Sequence, residues 1–293
     1  MKFEMAKKLR QSIAQKDLVT GAGVRDVLDA KIVENAGFDF VWSSSLGVSA
    51  SFCMPDASLI SMSQYIDAAR HMSEIIDIPI IIDADTGYGN ANNVIYAVKQ
   101  FENAGIAAMS MEDKKFPKDN SLLAGGRQEL ASIEEFTGKI KAVKDTQKSN
   151  DFFLIARVEA LIAGWGQEEA MKRATAYVEA GEDSILMHSK SSTPDEVVEF
   201  IKAWDGRAPI TLVPTMYPDL TEEKINALGG KVKIIIYANQ TFRAAVKATE
   251  DVLAEIKRAK GIHTINDMMV PVKHIFELQS VPQMKENEKK YLV

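Results

Sequence analysis

The sequence predicts an α/β fold, a (β/α)8 barrel of the TIM type with extra helices at its C-terminal end. Short apolar runs of strand length alternate with longer segments of helical spacing over nearly the whole chain. Eight such runs can be counted, which is the number that a closed parallel barrel requires. Their nearly continuous Ile, Leu and Val content is typical of parallel strands, because both faces of such strands are covered.

The predicted elements follow one another in a regular order. The N-terminal stretch MKFEMAKKLRQSIAQ is predicted to form an amphipathic helix. The predicted strands are LVTGA (18–22), FDFVWS (38–43), IPIIID (78–83), IAAMSM (106–111), FFLIARV (152–158), DSILM (183–187), ITLVP (210–214) and KIIIYA (233–238). A helix over 241–256 illustrates the intervening segments, because its apolar residues fall at three- and four-residue steps and Gly261 follows as a stop.

No linker or change of composition divides the chain, so we expect one domain over residues 1–293. The βα rhythm stops after Gly261, and a helical extension of the same domain is predicted over about 262–293. Its apolar residues have no strand left to cover: Val270, Val272, Ile275, Phe276 and Leu278. We therefore expect this tail to pack on a neighbouring subunit.

Composition excludes several classes of protein. The net charge of -6 argues against a nucleic-acid-binding protein, because affinity for the phosphate backbone comes mainly from clustered Lys and Arg. No apolar run is long enough for a membrane span and no signal peptide is evident, so a cytoplasmic location is expected. Cys53 is the only cysteine, which rules out an internal disulfide and a thiolate zinc site. We expect it to have a small, buried, apolar role.

Polar residues gather where the predicted strands end. In a (β/α)8 barrel the active site forms at the C-terminal ends of the strands. The polar or aromatic residues at these ends are Trp42, Ser43, Ser44, Ser45, Asp83, Asp85, Glu112, Asp113, Arg157, Glu159, His188 and Asn239. Nearly every strand therefore delivers a polar group to the same rim, and the sequence predicts a functional site there.

Asp83, Asp85 and Glu112 form an oxygen-only set that suits Mg²⁺, which favours a few carboxylates, water and substrate oxygens. Asp83 and Asp85 would point together if the strand stays extended through Ala84. Alternatively, an Asp before Thr-Gly is a common turn former or helix cap. Glu112 at the end of the next strand favours the metal site.

Arg157 lies within an apolar strand, where an unpaired guanidinium is costly to bury. It either pairs with a rim acid such as Glu159 or binds a phosphate or carboxylate in a bidentate manner. The role of His188 is also left open by the sequence, because the residue can be a hydrogen-bonded core or capping histidine as well as a ligand-binding one.

The long loop after the fourth strand carries more polar groups than a connection requires. Lys118, Asn120 and Ser121 can close over a ligand and supply cationic, amide and hydroxyl donors. Lys114 and Lys115 are expected to be solvated charges. The chain has no phosphate-binding glycine loop, no HExxH and no nucleophile elbow. A metal-assisted reaction on a small anion is the interpretation that the residues themselves favour.

The same residues carry a resemblance to a known family. The loop EDKKFPKDNS (112–121) resembles the signature of phosphoenolpyruvate mutases, and DADTGYGN, IARVEALIAGWG, ILMHSK and the tail KYL are also similar to that family. The similarity extends over almost the whole chain and includes the close relative phosphonopyruvate hydrolase. Both belong to the isocitrate lyase and phosphoenolpyruvate mutase superfamily of α/β barrels. The resemblance implies a homotetramer in which the last helix is swapped between paired subunits.

The resemblance implies interconversion of phosphoenolpyruvate and phosphonopyruvate, the first step of phosphonate biosynthesis, through an enolate that Mg²⁺ stabilises. It implies Mg²⁺ binding by Asp83, Asp85 and Glu112. It also assigns the pyruvyl seat to Trp42, Ser44, Ser45 and Leu46, the phosphoryl contacts to Arg157, His188 and Asn120, the reacting-centre aspartate to Asp56, and the gate to Lys118 and Ser121. Asp56 is either a phosphoryl acceptor or an electrostatic guide.

Residue 120 distinguishes the mutases from the hydrolase, the two kinds of enzyme that this sequence resembles most. Phosphoenolpyruvate mutases have Asn there, as this sequence does, whereas the hydrolase has Thr. Other stretches, such as MPDAS and RQEL, resemble the hydrolase more closely. The carbon-carbon lyases of the superfamily, such as 2-methylisocitrate lyase, use a loop cysteine that this sequence lacks. The mutase is therefore the preferred hypothesis; the hydrolase, a lyase and a non-catalytic anion-binding barrel are the alternatives.

Overall fold

The computed structural model describes residues 3–292, and within them eight parallel strands close into a barrel. Each strand pairs with the next one along the chain, and the first also pairs with the eighth. The strands are β1 (Val19–Val24), β2 (Phe40–Ser43), β3 (Ile80–Asp83), β4 (Ala108–Glu112), β5 (Phe153–Val158), β6 (Ser184–Met187), β7 (Ile210–Leu212) and β8 (Val232–Tyr237). The predicted barrel is confirmed, and the predicted strand ends differ from these by one or two residues.

Helices surround the barrel. The first of them, α1 (Glu4–Gln15), precedes β1 where an amphipathic helix is predicted. The helices up to β8 are α2 (Val27–Asn35), α3 (Ser45–Ser51), α4 (Met62–Ser73), α5 (Ala91–Asn103), α6 (Ile133–Thr146), α7 (Gly166–Glu179), α8 (Asp195–Ala203) and α9 (Glu222–Asn226). The short helix α3 begins directly after β2, because the Ser44 hydroxyl caps it by accepting a hydrogen bond from the Gly47 N–H.

Apolar side chains pack on both faces of the strands, since successive side chains of a strand point to opposite faces. Ile80 and Ile82 of β3 belong to the apolar layer between the barrel and its helices, whereas Ile81 belongs to the interior layer with Phe40. Leu9 of α1 also joins the interior layer and is fully buried. The strands are therefore packed on both sides, which accounts for their continuous apolar sequences.

Glu182, just before β6, is a charged group that this packing buries. One oxygen of its carboxylate accepts a hydrogen bond from the Ala156 N–H at 3.4 Å, and the other has no hydrogen-bond partner. Burial raises the pKa of Glu182 well above its ordinary value, and the neighbouring Asp183 adds to the shift. The folded state therefore holds this proton more tightly than the unfolded state does.

We expect Glu182→Gln to raise the free energy of unfolding by about 1–3 kcal/mol at pH 8, because the wild-type fold must either keep a proton that the unfolded chain releases or bury the charge. An acid with a raised folded-state pKa destabilises the fold increasingly as pH rises above its ordinary pKa. The difference in the free energy of unfolding between variant and wild type should therefore shrink as the pH is lowered towards 4.5. Urea unfolding at several pH values measures it, and Glu179→Gln, at a mostly exposed side chain, is the control. A difference that grows at low pH would contradict this account.

The chain divides into two compact units, and the second begins at Gln240. It contains α10 (Gln240–Ala259), α11 (Val272–Leu278) and α12 (Val281–Tyr291). Val270, Val272 and Phe276 are exposed, in line with the apolar tail noted in the sequence. Within residues 3–292, none of the helices combines the length and the apolar character needed to cross a membrane. The single domain and the swapped helix stay predictions.

Candidate active site

A cavity opens at the C-terminal ends of the barrel strands, where the sequence predicts a site. Eleven of the thirteen predicted site residues line it. The lining residues are Trp42, Ser44, Ser45, Leu46, Asp56, Asp83, Lys118, Asn120, Ser121, Leu122, Arg157, His188, Val213, Thr215, Ala238 and Asn239. The other two predicted residues, Asp85 and Glu112, are buried and border the lining residue Lys118.

The segment after β2 forms one wall of the cavity. The Trp42 side chain is buried in the barrel, and the Ser44 hydroxyl caps α3. Ser45, the first residue of that helix, donates a hydrogen bond from its hydroxyl to Asp83 Oδ2 at 2.9 Å. Leu46 follows on the first turn of the helix. This wall therefore presents hydroxyl groups and the start of a short helix beside a carboxylate.

The three predicted metal carboxylates lie on two adjacent strands or directly after them. β3 ends at Asp83, and Asp85 has a left-handed backbone with φ 48. The Gly87 N–H donates to Ala84 O and closes a turn that contains Asp85, so the condition of an extended strand, under which Asp83 and Asp85 would point together, is not met. The Glu112 N–H donates to Asp85 O at 2.8 Å and thereby ties the turn to β4.

Lys118 lies among these acids. Its Nζ is 2.9 Å from Asp56 Oδ2, 3.0 Å from Asp85 Oδ1 and 4.0 Å from Glu112 Oε1. It also donates to Ser45 Oγ at 3.4 Å, and the residue is only 4% exposed. Burial by itself lowers the pKa of Lys118, but the surrounding carboxylates outweigh burial and raise that pKa well above its ordinary value. The ammonium group is therefore charged.

Lys118 alone does not provide hydrogen bonds to all the carboxylate oxygens around it. Both oxygens of Glu112 are buried without a hydrogen bond, and within residues 3–292 the only partner of the buried Asp85 Oδ1 is the Lys118 ammonium group at 3.0 Å. Burial raises the pKa of Asp85 to about 7 and also raises the pKa of Asp83. Buried carboxylates that lack donors are best satisfied by a cation.

The charges of the site lead to the same conclusion. Five buried carboxylates (Asp56, Asp83, Asp85, Glu112 and Glu159) face three basic side chains (Lys114, Lys118 and Arg157), so acids exceed bases by two. A divalent ion would balance that difference. Nowhere in residues 3–292 do three His, Cys, Asp or Glu side chains stand where they could all bind one ion directly. A Mg²⁺ ion at this donor set would have to be held partly through water, as this strongly hydrated ion is in many proteins.

Asp56 approaches the cavity from the loop between α3 and α4. Its Oδ2 accepts hydrogen bonds from Lys118 Nζ at 2.9 Å and from Asn120 Nδ2 at 2.7 Å. Burial raises the pKa of Asp56, but the Lys118 charge and these hydrogen bonds outweigh burial, and the net pKa is lowered. Its Oδ1 is buried without a hydrogen bond. Asp56 is thus an oriented, ionised carboxylate with one uncommitted oxygen.

Arg157 pairs with rim acids, which is the first of the two interpretations that the sequence leaves open. It pairs with Glu159, its Nη1 lies 3.4 Å from Glu112 Oε2, and its Nη2 donates to Ser121 Oγ at 2.8 Å. Burial lowers the pKa of Arg157, but these carboxylates outweigh burial and raise it. The side chain nevertheless lines the cavity. The rim acids therefore hold and orient a guanidinium that is also available to an anion.

His188 is buried next to this arginine. Its Nδ1 lies 3.1 Å from Arg157 Nη2, and because a guanidinium only donates, Nδ1 must accept. Burial and the positive charge of Arg157 lower the pKa of His188, although Glu159 acts in the opposite direction. The imidazole is therefore neutral, with its proton on Nε2. It can donate one hydrogen bond to a ligand in the cavity.

Lys114 was expected to be a solvated charge, and that expectation is wrong. Its side chain is 1% exposed, and its Nζ donates to Ser121 Oγ at 2.5 Å and lies 3.3 Å from Glu159 Oε2. Burial follows from position, since Lys114 is two residues beyond Glu112 and pairs with Leu130 across an isolated bridge. That spacing was the available signal for this missed residue. Lys115 is exposed, as expected.

Cys53 also differs from its expected role. It is exposed rather than buried, and lies in the turn after α3 with φ 53. The turn directs the chain back towards Asp56 and leaves the thiol outside the apolar core. Cys53 does not line the cavity described above.

The gate loop, residues 113–131, is closed over the cavity. Lys118 and Ser121 are 4% exposed, whereas Leu123 at the tip is 57% exposed. Both ends of the loop are fixed by Arg173 of α7, whose Nη1 donates to Asp113 Oδ2 at 2.9 Å and to Ala131 O at 3.0 Å. This anchor was not predicted. The loop therefore has rigid ends, and its interior residues reach into the site.

Comparison with known proteins identifies relatives of the whole chain. A family model described as phosphoenolpyruvate phosphomutase matches residues 9–257. The phosphonopyruvate hydrolase of Variovorax sp. (strain Pal2) is 49% identical, with 97% of this chain and 98% of the relative covered. The phosphoenolpyruvate phosphomutase of Tetrahymena pyriformis is 44% identical, with 97% and 94% covered. A crystal structure of phosphonopyruvate hydrolase with oxalate and Mg²⁺ is similar at a TM-score of 0.93 and 47% identity, with 99% of each chain covered.

Proposed function

The chain belongs to the phosphoenolpyruvate phosphomutase family, and we propose that it is a phosphoenolpyruvate mutase, which interconverts phosphoenolpyruvate and phosphonopyruvate. The phosphoryl group moves between the enol oxygen and C3 of the pyruvate unit. The observation that carries the proposal is the hydrogen bond from Asn120 Nδ2 to Asp56 Oδ2 beneath a closed gate loop. An amide at position 120 orients the aspartate without adding a hydroxyl group there.

A magnesium ion at the site would be held by Asp83, Asp85 and Glu112, partly through water. Support comes from the two Glu112 oxygens that lack hydrogen bonds, from the excess of buried carboxylates, and from the Mg²⁺ in the structure of a related hydrolase. When bound, the ion supplies positive charge to the pyruvate enolate. Trp42, Ser45 and the start of α3 would seat the pyruvyl carboxylate, since helix N-terminal N–H groups favour anions.

Arg157, His188 and Asn120 would hold the phosphoryl group during transfer. Arg157 offers a planar, always charged donor, and His188 offers its Nε2–H. Phosphoryl transfer proceeds through a loose transition state, so positioning and charge stabilisation provide most of the catalysis. Asp56 lies at the reacting centre, where its uncommitted oxygen either accepts the phosphoryl group or guides it electrostatically. The closed gate loop excludes the water that would hydrolyse the group.

A second candidate function is phosphonopyruvate hydrolysis. The observation that favours it is the 49% identity to a phosphonopyruvate hydrolase over 97% of this chain, compared with 44% to a phosphomutase. Hydrolysis requires only that water reach the phosphoryl group, so the two activities differ in how the gate loop excludes water. A carbon-carbon lyase is disfavoured because the gate loop has no cysteine. A non-catalytic anion-binding barrel has no need for Asp56 held beneath that loop.

Phosphorus NMR of the purified protein with Mg²⁺ and phosphonopyruvate tests the proposal. A mutase converts the phosphonopyruvate signal to that of phosphoenolpyruvate without inorganic phosphate. A hydrolase produces inorganic phosphate and pyruvate from the start. No conversion, together with oxalate and Mg²⁺ binding in calorimetry, would leave the anion-binding barrel and the carbon-carbon lyase as the alternatives.

We expect Asn120→Thr to reduce isomerisation by about 10²-fold and to increase the share of inorganic phosphate among the products. The threonine side chain is too short to replace the 2.7 Å hydrogen bond to Asp56, and its hydroxyl can hold a water molecule beside the phosphoryl group. Single-turnover phosphorus NMR measures both products. The control is Asn92→Thr in the exposed first turn of α5. Unchanged rates and products in the Asn120 variant would refute its role.

A further inference from the structure

We propose that Lys118 is an internal counterion for the metal site: its ammonium group neutralises part of the charge of the site's carboxylates when the divalent ion is absent, and it is displaced from them when the ion binds. This inference rests on the proposed magnesium site and adds a competition between that ion and a residue of the gate loop. It gives Lys118 a role before any substrate arrives.

The position of Lys118 Nζ is the first argument. The nitrogen lies within 4.0 Å of three carboxylates, from Asp56, Asp85 and Glu112, two of which are the proposed metal-binding residues. Its distances to Asp56 and Asp85, 2.9 and 3.0 Å, are those of charge-assisted contacts. A lysine that only closes the loop would need a single acid, whereas this one lies between acids from three different segments.

Burial is the second argument. The Lys118 and Asp85 side chains are 3% and 1% exposed, so water cannot screen the charges. Ammonium groups and divalent ions placed near one another in such a setting repel strongly. Because Asp85 and Glu112 would serve both, the ammonium in its present position and a bound divalent ion compete for the same oxygens.

The gate loop is the third argument. Lys118 lies in the same short segment as Asn120 and Ser121, which hold the loop on Asp56, Arg157 and Glu159. Displacement of Lys118 would remove one of the contacts that keep the loop closed. Metal binding without substrate should therefore loosen the loop, and the substrate would supply the contacts that close it again.

Binding of Mn²⁺ alone, counted from the electron paramagnetic resonance signal of the free ion at pH 8, tests the proposal. We expect Lys118→Gln to bind Mn²⁺ at least about tenfold more tightly than the wild type, because the competing charge is gone. Lys118→Arg keeps the charge and should bind within a few-fold of the wild type. Lys115→Gln removes an exposed lysine of the same loop, whose partner is Glu129, and should leave the affinity unchanged.

Equal or weaker binding by Lys118→Gln would overturn the counterion role while leaving the metal site intact. Absence of Mn²⁺ binding in every variant would instead overturn the metal site itself, and the inference with it. Thermal unfolding gives a second readout. Lys118→Gln should melt at a lower temperature than the wild type in EDTA and regain most of the difference with Mn²⁺. A loss of stability that Mn²⁺ does not restore would also contradict the proposal.

Discussion

Asp56→Asn is expected to lower kcat for phosphonopyruvate conversion by about 10³-fold. The substitution keeps the shape of the side chain but removes the negative charge that Lys118 and Asn120 orient. It also removes the oxygen pair needed either to accept the phosphoryl group or to guide it. A coupled assay or phosphorus NMR with Mg²⁺ present measures the loss.

The control for this variant is Asp67→Asn on α4, an aspartate whose side chain is 65% exposed and which is not part of the cavity lining. Circular dichroism and thermal unfolding establish that both variants are folded. Activity of Asp56→Asn within tenfold of the wild type would remove Asp56 from the reacting centre.

Arg157→Lys is expected to lower kcat/KM by about 10²- to 10³-fold, although the positive charge is retained. The guanidinium contacts Glu159, Ser121 and His188 at the same time, and one ammonium group cannot reproduce that planar arrangement. Without the Arg157 donor, the His188 tautomer would no longer be fixed. Steady-state kinetics across a range of phosphonopyruvate concentrations measure the loss.

Arg70→Lys on α4 is the matched control, because that arginine is 41% exposed and pairs with Glu74 across one helical turn. We expect its kinetics to equal those of the wild type, since exposed ion pairs contribute little. Near-normal kcat/KM for Arg157→Lys would mean that charge alone suffices, and that the bidentate interpretation is wrong.

The barrel and the position of its site could be predicted because they depend on local features. Continuous apolar runs indicate parallel strands, and a closed parallel barrel brings the ends of all strands to one rim. Trp42, Asp83 and His188 each lie in the last two positions of a strand or directly follow one, so their convergence needed no further information.

The features that sequence reasoning missed depend on contacts between distant segments. The spacing of Lys114 after Glu112 is a local signal of burial, but the neighbours that complete this burial, Ser121 and Glu159, are not evident from its local sequence. The left-handed Asp85 is set by a turn tied to Glu112. Cys53 is exposed because a turn directs its backbone away from the core. Local composition does not report on such tertiary constraints.

The anchoring of both gate-loop ends by Arg173 has a consequence for how this family can diversify. The Arg173 guanidinium binds both Asp113 and Ala131, so the two ends of the gate loop are held together whatever residues form its tip. Substitutions at the exposed tip of the loop are therefore expected to leave its attachment to the barrel intact. Under the role proposed for position 120, a substitution there would redirect the chemistry while the rest of the sequence stays similar to both kinds of relative.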